Sequence, residues 1–465
     1  MLLKFMQSVN ACLTDYALMF LLIGIGLWYS VKTRFVQIRC FRDGVRLVRE
    51  GYAARGERFA HGMTPFQAFL TAFAAQIGAG NLVGAAGAIL TGGPGAIFWL
   101  WAASFLGMAT AYAETVLALR NRPKARERYY QGGPVYYIAA AFQGERGEKL
   151  ANFFAIAAAL GLGFFGAMAQ SNAIGAAFRY AFGVPLWLTG AAVAGICAAV
   201  FLGGARHVVS VMERFTPVAA GFFLFGGIVI LLARIVYLPS AILMIFRYAF
   251  TPDAIIGGGL GTALKIAVSQ GVKRGLFSNE AGLGSLPHAY AQAHTDNPHE
   301  QGVMAMMGVF ADSFIVLTFN ALVILATLYA GDGPLAQGYT GAVLLTLRQS
   351  NLTQAAFGSV FGGGFGGAFA ACCLSVFALS TILNWNLFGR LNMIYLFGRD
   401  SNTAYSVAAT LFLFLGALTS TDLVWELADF CNLLMTLPNV LALFALTDSV
   451  LSVTRQSGRK SALPK

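Results

Sequence analysis

The stretch from Pro65 to Gly95, PFQAFLTAFAAQIGAGNLVGAAGAILTGGPG, carries no Asp, Glu, Lys or Arg and is long enough to cross a bilayer. Yet glycine crowds its second half, where a spanning helix needs an unbroken ladder of backbone hydrogen bonds. Lipid offers no water to free amides and carbonyls, so a break there must be satisfied by protein, trapped water or a bound solute. Apolar runs of this kind recur along the whole chain: 57% of its 465 residues are hydrophobic and 11% charged, and the mean hydropathy is +0.68. The expectation is an all-α polytopic membrane protein. Length alone would suggest roughly three domains, but the apolar runs follow one another on short connections, so one membrane domain is the better reading.

About eleven transmembrane helices are expected, near residues 15–31, 65–92, 95–119, 151–181, 185–203, 215–237, 255–290, 303–329, 362–388, 404–421 and 424–450. Segments 237–250 and 339–350 are shorter and amphipathic and read as interfacial. Cations collect between the first two spans (Lys32, Arg34, Arg39, Arg42, Arg46, Arg49, Arg55, Arg58) and after the third (Arg120, Arg122, Lys124, Arg126, Arg128, Arg146, Lys149). Loops of the other parity, LTGGPGA and TLYAGDGPLAQGY, have none. The positive-inside rule then puts the amino terminus outside and the basic carboxyl tail in the cytoplasm. The same loops account for the net charge of +11 without a nucleic-acid partner. Cys12, Cys40, Cys197, Cys372, Cys373 and Cys431 show no CxxC or zinc spacing and read as buried small hydrophobes. The run after Tyr16 lacks a basic lead-in and a small-residue cleavage site, so it reads as a span rather than a removable signal.

With the first span set aside, residues 65–237 and 255–450 divide the remaining spans evenly, and an odd number in each half makes the halves inverted. Both open on an interruption: IGAGNLVG in the first, GVKRGLFSNEAGLGSLPHAY (271–290) in the second. Gly80 and Gly84 also form a GxxxG face, which could serve close helix packing instead. Matched interruptions in inverted halves are the better pointer to a midplane binding site, where half-helix amides meet an anionic group and unwound carbonyls meet a cation. GAGNLVG is no dinucleotide loop, since the GxGxxG spacing fails.

IGAGN, GGPGAIFWLW, YAETVLALR, YYQGGPVYYI, GVKRGLFSNEAGLGSLPHA, GVFADSFIV and STILNW followed by YLFG stand in one order along the chain. In these motifs the chain resembles the alanine or glycine:cation symporter family, also called the sodium:alanine symporter family. The resemblance implies a LeuT-type five-plus-five inverted repeat with one extra N-terminal helix. Residues 1–62 would be the extra span and basic loop, 63–238 the first repeat, 239–254 an interfacial connection, 255–453 the second repeat, and 454–465 the tail. It further implies Na⁺-coupled symport of a small neutral amino acid such as alanine or glycine, by alternating access, in a bacterial cytoplasmic (inner) membrane, with Na⁺ as coupling ion and no other cofactor. By the same resemblance Ala79, Gly80 and Asn81 line the first break, with the Ala79 and Gly80 amides near the substrate carboxylate. Gln170 supplies a polar contact, Phe277, Ser278 and Asn279 sit at the second break, and Thr381 and Trp385 close the pocket. The implied Na⁺ site uses the carbonyls of Ala74 and Ile77 and the hydroxyls of Ser380 and Thr381. The hydroxyl of Ser380 could equally bond its own helix backbone.

Departures from the family pattern are Ala79, where threonine is usual, and Asn384 and Asn386, which flank Trp385 where small residues are usual. They leave substrate identity more open than substrate class. Ionisable residues within spans are functional suspects. Glu280 is expected to pair with Lys273 or Arg274, with amide orientation and cation binding as alternatives. Glu114 is expected to snorkel or pair near a helix end, and Asp312 to hydrogen-bond between helices or carry a proton. His61 and His288 read as structural. No Ser/His/Asp set, HExxH or P-loop points to an enzyme. The alternatives to Na⁺ symport are a proton-coupled carrier of the same fold, using Asp312 or Glu280, and more remotely a channel, which would call for repeated filter or charged rings. Nothing in the sequence sets an oligomeric state.

Overall fold

Helix is what a lipid-facing chain must adopt to satisfy its own backbone. The computed structural model describes residues 2–54, 63–123, 132–202, 204–250, 260–336 and 347–461. Among these, pairing in the β manner is confined to one isolated bridge between Met63 and Ala293. Arg55, Arg58, His61, Lys124, Arg126, Arg128 and most of segment 339–350 lie outside the described residues.

In chain order we label α1 (Met19–Lys32), α2 (Pro65–Gln76), α3 (Gly80–Gly92), α4 (Ala96–Arg120), α5 (Gly144–Phe182), α6 (Leu186–Leu202), α7 (Gly204–Ala233), α8 (Leu238–Phe250) and α9 (Leu260–Asn279). There follow α10 (Pro298–Tyr329), α11 (Gly363–Phe397), α12 (Ser401–Leu418), α13 (Thr421–Ala445) and α14 (Thr447–Ser461). Six helices among the described residues are long and apolar enough to cross a membrane, namely α4, α5 and α10–α13. Bent pairs raise that to as many as eight: α2 with α3, at 47°, and the stretch Pro217–Ala233 with Ile235–Phe250, at 81°. The chain is therefore a multi-pass integral membrane protein.

Several helices outrun the apolar stretches that announce them. α5 begins at Gly144 rather than near 151: its first turns are polar, with Glu145 and Lys149 paired at i,i+4, and hydropathy is blind to them. α11 likewise continues from 388 to Phe397. α4 packs along both α9 and α10. Its contact with α9 explains two glycines of GVKRG: a Cβ at Gly275 would lie 3.0 Å from Leu100 Cγ and 3.1 Å from its carbonyl oxygen, and one at Gly271 would strike the Ala96 carbonyl. This small-xxx-small pair lets two helices touch. The second interruption, expected across 271–290, therefore begins only after Asn279.

Candidate functional site

The first break is built by local rules and then held by distant residues. A capping box starts α2: Gln67 N–H donates to Thr64 Oγ1 at 3.0 Å, and Thr64 N–H to Gln67 Oε1 at 2.9 Å. The helix stops at Gln76, Ile77 turns out of helical geometry (ψ 87°), and the chain re-enters helix at Gly80 through a wide π turn, Gly80–Gly84. Ala79 N–H donates to Gln170 Oε1 on α5 (2.9 Å), and Gly78 N–H to Asn81 Oδ1 (3.2 Å). On the carbonyl side, Ser380 Oγ donates to Ala74 O (3.0 Å), while Thr381 Oγ1 lies 3.0 Å from Ala75 O and 3.3 Å from Ile77 O. The residues that make the bonds of Gln170, Asn81, Ser380 and Thr381 are all buried.

Thus α11 brings the hydroxyls of Ser380 and Thr381 onto the carbonyls of Ala74 and Ile77, and adds that of Ala75. The break and α11 present five uncharged hard oxygens in two adjoining sets, Ser380 with Ala74 and Thr381 with Ala75 and Ile77, the donor type an alkali cation prefers to nitrogen or sulfur. Among the described residues no group of three His, Cys, Asp or Glu side chains could hold a metal ion.

The second break leaves helix at Asn279. Glu280 takes a left-handed φ of 58°, uncommon for a residue with a Cβ, and Gly282 (φ 88°) and Gly284 (φ 82°) continue the turn where side chains would be strained. Glu114 on α4, fully buried, accepts from the Gly282 and Gly284 N–H groups at 3.0 Å each and from Asn439 Nδ2 at 2.6 Å. The expectation that Glu114 snorkels at a helix end is corrected: it is an internal carboxyl group that anchors the loop. Glu280 does not pair with Lys273 or Arg274 either. Its carboxylate accepts from Trp385 Nε1 at 2.9 Å and from the Ser285 hydroxyl, whereas Lys273 reaches Asp429 on α13 at 3.2 Å. His288 is structural, stacked beside Phe154 and Phe388 and hydrogen-bonded through its ring to Ser285 O and Asn392.

Asp312 sits in a π turn of α10 and joins the two breaks: Asn81 Nδ2 donates to it at 2.5 Å and Ser278 Oγ at 3.2 Å. A second tie runs from Gln76 Nε2 to Asn279 O at 2.8 Å.

Between the breaks lies a small, partly open cavity of 50 Å³, room for a few water molecules. Gly78, Gly80, Gln170, Phe277, Ser278, Glu280, Thr381 and Trp385 are on its wall, with Arg274, Trp425 and Asp429. Of the residues expected at the site, Ala79, Asn81 and Asn279 stand behind that wall. Ala79 is packed in a hydrophobic cluster with Ile77, Leu82 and Ile174, and its N–H is occupied by Gln170. Asn279 is held by Ser104 and Ser313. The packing alternative for Gly80 and Gly84 finds no pressure from neighbours: the nearest atoms to a Cβ there are 3.7 and 3.9 Å away.

Sequence reasoning missed Gly78, where a Cβ would lie 2.5 Å from Thr381 Oγ1 and 3.1 Å from Gln170 Oε1, and Gly166, which yields space to the Trp385 ring. It also missed the α13 wall, Trp425 and Asp429. An acidic residue inside the apolar run 424–450 was the available signal for the latter.

An all-helical membrane protein whose interrupted helices border a small, mostly apolar cavity belongs to the class of membrane transporters. The sodium:alanine symporter family model matches residues 1–462, and the chain belongs to that family. The sodium/alanine symporter of Methanococcus maripaludis is 36% identical over 97% of this chain and 96% of its own length. A probable sodium/glutamine symporter of Bacillus subtilis is 31% identical over 98% and 91%. Among solved structures, a manganese transporter of Eremococcus coleocola covers 83% of this chain and 78% of its own at 15% identity, with a TM-score of 0.49. That likeness is too loose to carry a conclusion about this chain.

Proposed function

We propose that the protein takes up a small neutral amino acid, alanine or glycine by preference, by symport with Na⁺ across a bacterial inner membrane. The observation that carries this reading is the set of neutral oxygens from Ala74, Ala75, Ile77, Ser380 and Thr381, placed where the same broken helix borders the cavity. Na⁺ bound there would hold the break in the shape that faces substrate, which couples the two solutes. In this reading the substrate carboxylate meets the break near Gly80, Gln170 swings from Ala79 to the substrate, and Phe277, Ser278, Thr381 and Trp385 enclose the side chain. The mostly apolar wall of the cavity suits a small aliphatic side chain. The breaks in α2–α3 and at the end of α9 would be the equivalent starts of two inverted five-helix repeats, with α1 as the extra helix and the amino terminus outside.

A second reading rests on Glu280, a buried carboxylate on the cavity wall held in a left-handed backbone turn. If it exchanges a proton with each cycle, the carrier is proton-coupled. Counterflow of labelled alanine in proteoliposomes separates the two. Under Na⁺ coupling, exchange requires Na⁺ and ignores an imposed pH gradient; stimulation by the pH gradient in Na⁺-free medium would replace the first reading by the second.

A further inference from the structure

We propose that a pocket far from the transport cavity, between α6, α11 and α12, binds the phosphate of an anionic phospholipid headgroup through Arg390. The pocket has a volume of 390 Å³ and is lined by Ala198, Phe201, Arg390, Asn402, Thr403 and Ser406, with Val407 and Thr410 at its side. Arg390 is only 9% exposed, and every partner it has among the described residues is neutral. Nε and Nη2 donate to Ser406 Oγ at 2.9 and 2.6 Å, Nη2 also donates to Phe201 O at 2.8 Å, and the guanidinium lies over the Phe201 ring. Nη1 takes no partner among the described residues, and Asp400, the nearest acid in sequence, is exposed and forms no pair with it. A buried guanidinium with a spare donor and no counter-ion among the described residues offers a site for an anion, and its planar fork matches phosphate.

The second contribution comes from α12, whose first turn carries Asn402 and Thr403 onto the pocket wall while Asp400 makes no side-chain cap to its free N–H groups. The positive end of this helix therefore adds to the charge of Arg390.

The surroundings favour a lipid over a dissolved phosphate. Exposed Ile196 (52%), Val407 (64%) and Leu411 (56%) continue from the pocket along α6 and α12, a surface on which acyl chains can lie. Depth agrees as well. α11 has 35 residues, hence about 52 Å of length, against about 40–45 Å for a bilayer with its headgroups. Arg390, about 10 Å from the Phe397 end at 1.5 Å per residue, then falls at headgroup level in a centred helix. Basic pockets between spanning helices are where such headgroups are held.

The competing explanation is that Arg390 only caps the carboxyl end of α6 through the Phe201 carbonyl. The test is the thermal unfolding of the full purified chain in detergent, titrated with phosphatidylglycerol, phosphatidylcholine or inorganic phosphate. Phosphatidylglycerol should raise the midpoint while the other two do not, and Arg390→Ala should weaken the apparent affinity for phosphatidylglycerol about tenfold, the loss of one charge-assisted contact. Val407→Trp, which covers the pocket from an exposed position and leaves the Arg390 bonds in place, should abolish the response, and it answers the question even if Arg390→Ala does not fold. An equal response to inorganic phosphate, a wild type indifferent to headgroup charge, or an undiminished response in either variant would overturn the proposal.

Discussion

Thr381→Val is the most informative single change at the site. Valine keeps the branched shape and deletes one oxygen, which in the structure lies 3.0 Å from Ala75 O, 3.3 Å from Ile77 O and 3.3 Å from the carbonyl of Phe377 one turn back. Leaving buried carbonyls without a donor costs about 1–3 kcal/mol, and a stability loss of that size is expected whether or not Na⁺ binds. The cation reading adds a separate effect. An oxygen that ligates Na⁺ in the coupled state contributes on the order of 1–3 kcal/mol there, so the half-saturating Na⁺ concentration should rise about 5- to 150-fold. Thr381→Ser, which restores the oxygen, should return it to near the wild-type value. Ser375→Ala removes a hydroxyl on the same helix that bonds only its own backbone, Ala371 O at 2.7 Å, and should leave Na⁺ dependence unchanged. The assay is alanine uptake into proteoliposomes across a Na⁺ series, with thermal unfolding measured alongside. If Thr381→Val transports with the wild-type Na⁺ requirement, the hydroxyl is a structural strut and the assignment of the cation to this oxygen set fails.

Gly78→Ala should abolish uptake and destabilise the protein by about 1–3 kcal/mol, because its Cβ would meet Thr381 and Gln170, while Gly80→Ala should fold normally. Equal stabilities by thermal unfolding would refute the distinction. Gly80→Leu should insert and remain folded but fail to bind alanine, as judged by isothermal titration; retained binding would remove Gly80 from the substrate path. Glu114→Ala leaves the N–H groups of Gly282 and Gly284 and the Asn439 amide without their acceptor and should cost more than about 3 kcal/mol, since three buried donors lose their partner. A loss below 1 kcal/mol in chemical unfolding would show that the loop does not depend on it. Ala79→Thr overfills a closed cluster, so it should lower stability yet leave the ranking of competing amino acids unchanged, and a reordered ranking would put Ala79 on the cavity after all.

The first break was legible because helix breaking is a local property: glycine at 78, 80 and 84 inside an uncharged run leaves backbone groups that only a special arrangement can satisfy. The glycines of GVKRG carry the same letters with a different cause. They continue a helix, and only the backbone of α4 lying against them reveals why they are small. Glu114 and Glu280 could not be assigned from spacing, since their partners lie 168 and 105 residues away, at Gly282 and Trp385. Asn81 and Asn279 were recognised as belonging to the breaks, but hydrogen bonds to Asp312, Ser104 and Ser313 turn them away from the cavity.

By itself the sequence determined the solvent, the helical class, the family and the place where a helix must stop. The family is read from the resemblance of its ordered motifs; the rest follows from composition and from the obligation of each backbone amide and carbonyl to find a partner within a few residues or in water. The tertiary structure alone decided which carboxylate holds which loop, which oxygens of α11 meet the carbonyls of α2, and which faces border the cavity. A buried charge or an orphaned carbonyl is satisfied by whatever the fold brings within about 3 Å, and that proximity is set by how helices far apart in the chain pack against one another.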